Sequence, residues 1–133
     1  MILLDTRVLL WLDRRHPSLG QSVIEIAANA LIALDLAVSA ISFCEIAPLL
    51  GKRRLQLKLP VTGWRRDLLD QGLVEIPITG ALGIAAASLE NFHPDPADRL
   101  IVASGQKLGA TLLTADEKIL AWPGRLDRSD ARV

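Results

Sequence analysis

The sequence predicts an α/β sandwich in which a mainly parallel sheet is flanked by helices. Two observations carry this prediction: short apolar runs that suit buried strands alternate with longer segments of helical pattern, and glycines or prolines mark several of the boundaries between them. At 133 residues the chain is long enough for one sizeable core and too short for two independent ones, so a single domain over 1–133 is expected.

The first half of the chain is predicted to contain two strands and three helices. The apolar run MILLD, ended by a carboxylate, is typical of a buried strand, and LAVSA is a second run of the same kind. Pro17 breaks the helical pattern between them, and Gly51 is a stop signal. The predicted segments are a strand at 1–5, helices at 7–14 and 19–34, a strand at 36–40 and a helix at 42–54.

The second half continues the alternation. Pro60 opens a helical segment that ends at Gly72, and the strand candidate LVEIPI follows directly. A later helix closes at Gly109, ahead of the buried run ATLLT. The predicted segments are a helix at 61–72, a strand at 73–78, helices at 79–89 and 96–108, a strand at 110–114 and a last helical segment at 117–122.

Composition and motifs exclude several classes of protein. No apolar run approaches the roughly 20 residues of a membrane-spanning helix, and no secretory signal is recognisable, so we expect a cytoplasmic protein without a membrane partner. The lone Cys44 excludes an internal disulfide and a cysteine metal cluster, and its apolar surroundings predict a small core residue. The phosphate loop of an NTPase is absent from the sequence.

The charged residues are clustered although their sum is zero, with 15 basic and 15 acidic side chains. Basic groups lie at Arg14–Arg15, Lys52–Arg54 and Arg65–Arg66. Such segregation suits a polyanion held beside an acidic metal site, because cations on the rim neutralise phosphates. Charge alone favours the simpler explanation that these are solvated helix faces.

Four acidic side chains lie at predicted strand ends or in the first turns of the following helices. Parallel strands point the same way, and ligands of open parallel sheets bind beyond the carboxyl ends of the strands. The four carboxylates are therefore expected to converge on one edge of the sheet. They are Asp5 after the first strand, Glu45 after the second, Asp98 in a late helix and Asp116 after the strand at 110–114.

Each of these acids also has an ordinary structural explanation. Carboxylates are favoured at helix N-caps and in the first helical turn, where they accept bonds from free amides and oppose the helix dipole. Capping does not explain why carboxylates occur at all these strand ends. The individual alternatives are N-caps at Asp5, Asp95 and Asp116, a capping-box partner of Ser42 at Glu45, and a third-position acid at Asp98.

The order of the motifs LLDT, S-x-x-E-I, D-P-x-D-R-x-I and T-x-D resembles that of the PIN-domain ribonucleases, specifically the VapC-type toxins of bacterial toxin–antitoxin pairs. The resemblance covers nearly the whole chain, and the combination is far more specific than any one motif. It implies a PIN-like three-layer sandwich and a metal-dependent endoribonuclease toxin that hydrolyses RNA phosphodiester bonds.

The resemblance also implies the roles of individual residues and the cofactor, which is Mg²⁺ or Mn²⁺. Thr114 is the hydroxyl of the T-x-D element, and Asp95 is a cap or accessory group that starts the helix carrying Asp98. Arg99 is expected to orient a carboxylate or to contact a phosphate. The implied catalytic and metal-binding acids are Asp5, Glu45, Asp98 and Asp116.

The implied partners are an RNA substrate, a second copy of the chain in a homodimer, and a VapB-type antitoxin whose segment packs in an apolar groove. The alternative from another class is a catalytically weak PIN-fold protein that acts as a protein-binding or RNA-binding module. A receiver domain fits poorly, because the first strand ends in a single acid. Groove candidates, each also a candidate for partial core burial, are Trp11, Leu49, Leu50, Leu55 and Trp64.

A few positions depart from the family pattern or fall outside it. Arg7 follows the D-T pair where a small or polar residue or a histidine is more usual, and Cys44 stands where an aromatic is frequent. Pro48 lies within a predicted helix, where it removes a backbone hydrogen bond. His16 and His93 match no family site and are predicted to be surface residues.

Overall fold

The computed structural model describes residues 1–51 and 60–133. Strands and helices alternate through these residues as predicted. The strands are β1 (Ile2–Leu4), β2 (Leu36–Ser39), β3 (Val74–Ile76), β4 (Thr111–Thr114) and β5 (Arg128–Asp130). The helices are α1 (Thr6–Arg14), α2 (Gln21–Ile32), α3 (Ile41–Gly51), α4 (Val61–Asp70), α5 (Gly80–Ala87), α6 (Pro96–Leu108) and α7 (Glu117–Ala121).

The strands form one sheet in the order β3-β2-β1-β4-β5. Every pairing between them is parallel, so the sheet of the described residues is wholly rather than mainly parallel. The chain builds outward from β1 on one side through β2 and β3, and on the other side through β4 and β5. The strand order therefore reverses between β1 and β4, which is where a parallel sheet opens a crevice for ligands.

Helices cover both faces of the sheet because successive strand residues point to opposite sides. Leu4, Val38 and Leu113 face a core formed with α1 to α4, which includes the buried Trp64. The preceding strand residues Leu3, Ala37 and Leu112 face a second core formed mainly with α6 and α7. Helix α5 packs on α6 through a smaller apolar cluster. This is the predicted three-layer sandwich.

The strand β5 was not predicted. Its residues Arg128, Ser129 and Asp130 are polar and lack the apolar run that identified the other strands. It pairs with β4 at the sheet edge, where side chains can remain in water. Tertiary pairing, rather than local sequence, therefore places this segment in the sheet.

Two further expectations about single residues differ in outcome. Cys44 was predicted to lie in the core and is exposed, because it projects from the outer side of α3. Pro48 lies inside α3, which continues to Gly51. The end of the predicted helix 42–54, the basic cluster Lys52–Arg54 and Leu55 lie outside the described residues.

The other groove candidates are partly or fully buried. Trp64 is only 5% exposed, and Trp11, Leu49 and Leu50 pack against the first core. Among the helices of residues 1–51 and 60–133, none combines the length and apolar character needed to cross a bilayer.

Candidate active site

Two of the predicted acids lie directly beside the point where the strand order reverses. Asp5 follows β1 and is the N-cap of α1, where its Oδ1 accepts a hydrogen bond from the Thr6 amide at 2.8 Å. Asp116 follows β4 and is the N-cap of α7, where its Oδ1 accepts from the amides of Lys118 and Ile119. The capping explanation is thus correct for both residues, and capping also fixes where each carboxylate points.

A hydrogen-bonded network joins three of the four acids across the fold. The Thr114 hydroxyl donates to Asp5 Oδ2 at 2.6 Å and accepts from the Asp116 amide at 3.1 Å. On the other side of Asp5, the Thr6 hydroxyl donates to Glu45 Oε1 at 2.5 Å. The threonines therefore orient both carboxylates without neutralising them. The sequence pointed to Thr114 but missed Thr6, although Thr6 stands in the LLDT motif.

The proposed capping box of Ser42 and Glu45 is wrong. Helix α3 begins at Ile41, whose amide bonds to Ser39 Oγ, so Ser42 is already inside the helix. Its hydroxyl lies 2.7 Å from that of Thr6. Because the single Thr6 proton goes to Glu45, Ser42 is the donor in this pair. Both α3 residues thus face the cluster of carboxylates rather than a free helix end.

The two acids of the motif D-P-x-D have different positions and different contacts in the structure. Asp95 is exposed and is the N-cap of α6, where Oδ1 accepts from the amides of Ala97 and Asp98, and Pro96 is the first helical residue. Asp98 lies one turn further in and is half-buried. The helix that Asp95 starts therefore directs the carboxylate of Asp98 toward the other acids.

We expect Asp95→Ala to lower the free energy of unfolding by about 1 kcal/mol, because the first turn of α6 loses its cap. Urea unfolding of the variant measures this loss. Asp95→Asn retains a capping oxygen and serves as the matched control. A loss of metal affinity much larger than the loss of stability would instead identify Asp95 as a ligand.

His93 was predicted to be a surface residue and is not. Its side chain is 17% exposed, and Nε2 lies 3.1 Å from Asp98 Oδ2. The contact is not aligned as a hydrogen bond, and Nε2 has no other partner among the described residues. The ring packs against Phe92, with centroids 4.5 Å apart. His93 therefore belongs to the wall of the site, whereas His16 is exposed as predicted.

Neither role predicted for Arg99 is observed, because its guanidinium points away from the acids. Nε donates to the carbonyl of His93, and NH2 donates to that of Phe92. NH1 donates to the carbonyls of Ala86 and Leu89. With these four bonds, Arg99 clamps the segment between α5 and α6 and so supports the loop that carries His93.

The four acids share one cavity of about 390 Å³. A neighbouring cavity of about 770 Å³ is lined by Asp98 and Asp116 together with several basic side chains. Arg7 lines both cavities. The predicted convergence of the carboxylates is therefore present in the structure. The residues of the smaller cavity are Asp5, Thr6, Arg7, Leu10, Glu45, Leu49, Asp95, Asp98 and Asp116.

Burial and crowding raise the pKa values of three of the acids, Asp5, Glu45 and Asp98. Burial raises the pKa of Asp5, and the nearby Asp116 adds to this, against the opposing hydrogen bonds from Thr114 and Thr6. Burial likewise raises the pKa of Glu45. Burial, followed by repulsion from Asp5 and the other three nearby acids, raises the pKa of Asp98 from 3.8 to about 7. The site holds negative charge that the described residues do not compensate.

We expect the metal-free protein to lose stability as the pH rises from about 4 to about 7. The folded-state pKa of Asp98 is raised, so its stabilising contribution is complete below the unfolded pKa and disappears as the pH passes the folded pKa. Asp98→Asn should be spared this loss, which is on the order of 1–2 kcal/mol once solvent screening of a half-buried group is included. Urea unfolding of both proteins in EDTA at pH 5 and pH 8 checks this. If the free energies of unfolding of the two proteins differ by the same amount at both pH values, the prediction is wrong.

The donor set fits a hard divalent cation, since all four acids supply oxygen. Three of them keep an oxygen that accepts no hydrogen bond from the described residues: Glu45 Oε2, Asp98 Oδ1 and Asp116 Oδ2. Within residues 1–51 and 60–133, no three acidic, histidine or cysteine side chains are yet close enough to hold one ion. The cluster is therefore an open set of donors rather than a formed coordination shell.

Comparison with known proteins agrees with the observed fold. Residues 2–123 match the family model described as PIN domain. The chain is 35% identical over 120 residues to Ribonuclease VapC22 of Mycobacterium tuberculosis, across 89% of this chain and 88% of that protein.

Two solved structures share the fold at low sequence identity. One is a toxin–antitoxin complex from Klebsiella pneumoniae, with 20% identity, a TM-score of 0.61 and coverage of 92% of this chain and 93% of that chain. The other is VapBC2 from Rickettsia felis bound to a promoter DNA fragment, with 19% identity, a TM-score of 0.67 and coverage of 97% and 98%.

Proposed function

The chain belongs to the PIN-domain family, and from this premise we propose that it is a metal-dependent endoribonuclease, a VapC-type toxin that hydrolyses RNA phosphodiester bonds. One observation carries the proposal: four carboxylates from four separate segments of the chain line one cavity where the strand order of a parallel sheet reverses. A relative with 35% identity over most of its length bears the name ribonuclease, which supports the reaction class.

The residues that would hold Mg²⁺ or Mn²⁺ are Asp5, Glu45, Asp98 and Asp116. When bound, the cation supplies Lewis acidity and positive charge at the scissile phosphate. The chain itself supplies orientation. Thr114 and Thr6 fix the carboxylates of Asp5 and Glu45, so little side-chain freedom remains to be lost when the site assembles. In hydrolysis, a water molecule loses a proton as its oxygen bonds to phosphorus, the bond to the leaving sugar oxygen breaks, and the leaving oxygen takes up a proton.

The proposal includes partners of two kinds, a VapB-type antitoxin and a second copy of the chain. The relatives with the same fold include toxin–antitoxin complexes, which supports an antitoxin partner. The uncompensated negative charge of the cavity suits a basic side chain from such a partner. Large apolar side chains remain exposed on the surface, including Ile32 at 83% and Ile84 at 72%, and such groups favour protein contacts.

Cleavage of a mixed pool of structured small RNAs tests the proposed function. The purified protein, free of antitoxin, is incubated with Mg²⁺ or Mn²⁺ and separately with EDTA, with Asp98→Asn run alongside. We expect discrete cuts that need the metal and are absent from the variant. A folded, metal-binding protein that cuts no RNA would instead support the alternative of a binding module.

A further inference from the structure

The larger cavity beside the acids brings three cations together. They are Arg7, Lys118 and Arg132, and all three residues are exposed. Arg132 is already engaged, because its NH2 lies 2.7 Å from both Glu117 and Asp130. Arg7 and Lys118 form no ion pair or side-chain hydrogen bond within the part of the chain that the structure describes. Two cations are thus available to a ligand at the edge of the site.

The two cations occupy equivalent positions in the fold. Each is the second residue of a helix that begins directly after a central strand, and each follows an N-cap aspartate by two residues, as D-T-R at Asp5 and D-E-K at Asp116. The positive end of the helix dipole disfavours a cation at Arg7, in the first turn of the nine-residue helix α1. Helix α7 has only five residues, so Lys118 also lies in its last turn and the dipole does not decide its position. The equivalent positions place the two cations on both sides of the crevice between β1 and β4.

Neutralising the acids is the competing explanation for these cations. Arg7 does lower the pKa of Asp5, but it is the weakest of the influences on that group, and burial still keeps the pKa raised. Neither Arg7 nor Lys118 forms an ion pair with any acid of the cluster within the described residues. Neutralisation of the carboxylates therefore does not account for the two cations.

We propose that Arg7 and Lys118 bind the phosphates that flank the scissile bond, and so hold the RNA backbone across the acidic cavity. This inference rests on the proposed function and adds the contacts that position its substrate. A polyanion crossing a cluster of carboxylates needs cations beside that cluster, and side-chain cations that contact phosphates release condensed counterions. The cavity of about 770 Å³ lies within the size range of ligand sites, about 300–1,000 Å³.

The test measures RNA binding separately from cleavage. A labelled single-stranded RNA is titrated with the Asp98→Asn protein in Mg²⁺, and binding is followed by fluorescence anisotropy at several salt concentrations. The same titrations are made with Asp98→Asn proteins that also carry Arg7→Gln or Lys118→Gln. We expect each change to weaken binding about 3- to 5-fold near 0.1 M salt. The slope of log affinity against log salt should become shallower by about 0.7 for each cation removed.

Matched controls carry the same substitutions away from the cavity. Arg14 is in the last turn of α1, the same helix as Arg7, and Lys107 is in the last turn of α6. Arg14→Gln and Lys107→Gln remove the same charges and should leave the salt slope unchanged. In the otherwise unchanged enzyme, Arg7→Gln should raise KM for RNA more than it lowers kcat.

The outcomes separate this inference from the proposed function. If the enzyme cleaves RNA but Arg7→Gln and Lys118→Gln match their controls, the inference is wrong and the function stands. If Arg7→Gln and Lys118→Gln change the metal concentration needed for cleavage but not the slope of log affinity against log salt, the inference is also wrong, and the two cations neutralise the acids instead. If nothing is cleaved yet binding depends on both cations, the contacts are supported and the nuclease assignment fails. If no RNA binds at all, both fail.

Discussion

Asp98→Asn is expected to lower metal-dependent RNA cleavage by more than about 100-fold. Removing a residue that hydrogen-bonds to a metal ligand already lowers metal affinity or activity by about 10- to 100-fold, and removing the ligand itself has a larger effect. The substitution keeps the shape of the side chain and removes its charge. The fold should survive, since Asp98 accepts no hydrogen bond from the described residues and its charge is a source of repulsion. Initial rates at saturating metal, with circular dichroism of the variant, measure both parts.

Two matched substitutions give this result its meaning. Asp95→Asn changes the other acid of the motif and should keep most of the activity, because Asp95 caps α6. Asp127→Asn alters an exposed acid beside the amino end of β5, away from the cavity, and should have no effect. If Asp95→Asn abolished cleavage while Asp98→Asn did not, the assignment of roles within D-P-x-D would be reversed.

Mn²⁺ is expected to raise the melting temperature of the protein. A ligand that binds only the folded state stabilises it by about 2.7 kcal/mol at 100 times its dissociation constant. For a chain of this length, that corresponds to a shift on the order of 10 °C. The rise should be large because the cation also relieves the repulsion that raises the pKa of Asp98. Thermal unfolding with increasing Mn²⁺, and then with EDTA, measures it.

The variants again separate specific from general effects of the cation. Asp98→Asn should melt higher than the unchanged protein in EDTA and gain less from Mn²⁺, whereas Asp127→Asn should behave like the unchanged protein. A midpoint that does not move at millimolar Mn²⁺ would count against metal binding by the four acids. A higher melting temperature of Asp98→Asn in EDTA would also show that Asp98 lowers the stability of the protein, as is common for charged residues at active sites.

The parts of the fold that the sequence predicted are those with a strong local pattern. Strands β1, β2 and β4 are largely apolar runs buried against helices, β3 is a partly buried run, and the αL conformation of Gly109 ends α6 as expected. Strand β5 has no such pattern, and only its pairing with β4 defines it. The exposure of Cys44 depends on which side of α3 faces the sheet, which its apolar neighbours did not reveal.

The sequence predicted that the acids lie near one another and pointed to Thr114, but it did not predict the contacts of Thr6, His93 and Arg99. A parallel sheet carries the residues after its strands to one edge, so the proximity of Asp5 and Asp116 follows from the sequence pattern. The contacts of His93 and Arg99 depend on side-chain rotamers and on the path of the loop before α6. Nothing in the local sequence specifies that Arg99 turns toward carbonyl groups rather than toward its acidic neighbours.

The hydrogen bond between Thr114 and Asp5 joins residues 109 positions apart, and it has a consequence for when the candidate site can form during synthesis. Its two ends meet only after β4 has inserted beside β1, which requires nearly the whole chain. A growing polypeptide on the ribosome therefore carries Asp5 and Glu45 for most of its synthesis before Thr114 and Asp116 have been added. Pairing of such distant segments is also slow compared with local folding. The arrangement of acids around Asp5 would then form only late, once β4 has paired with β1.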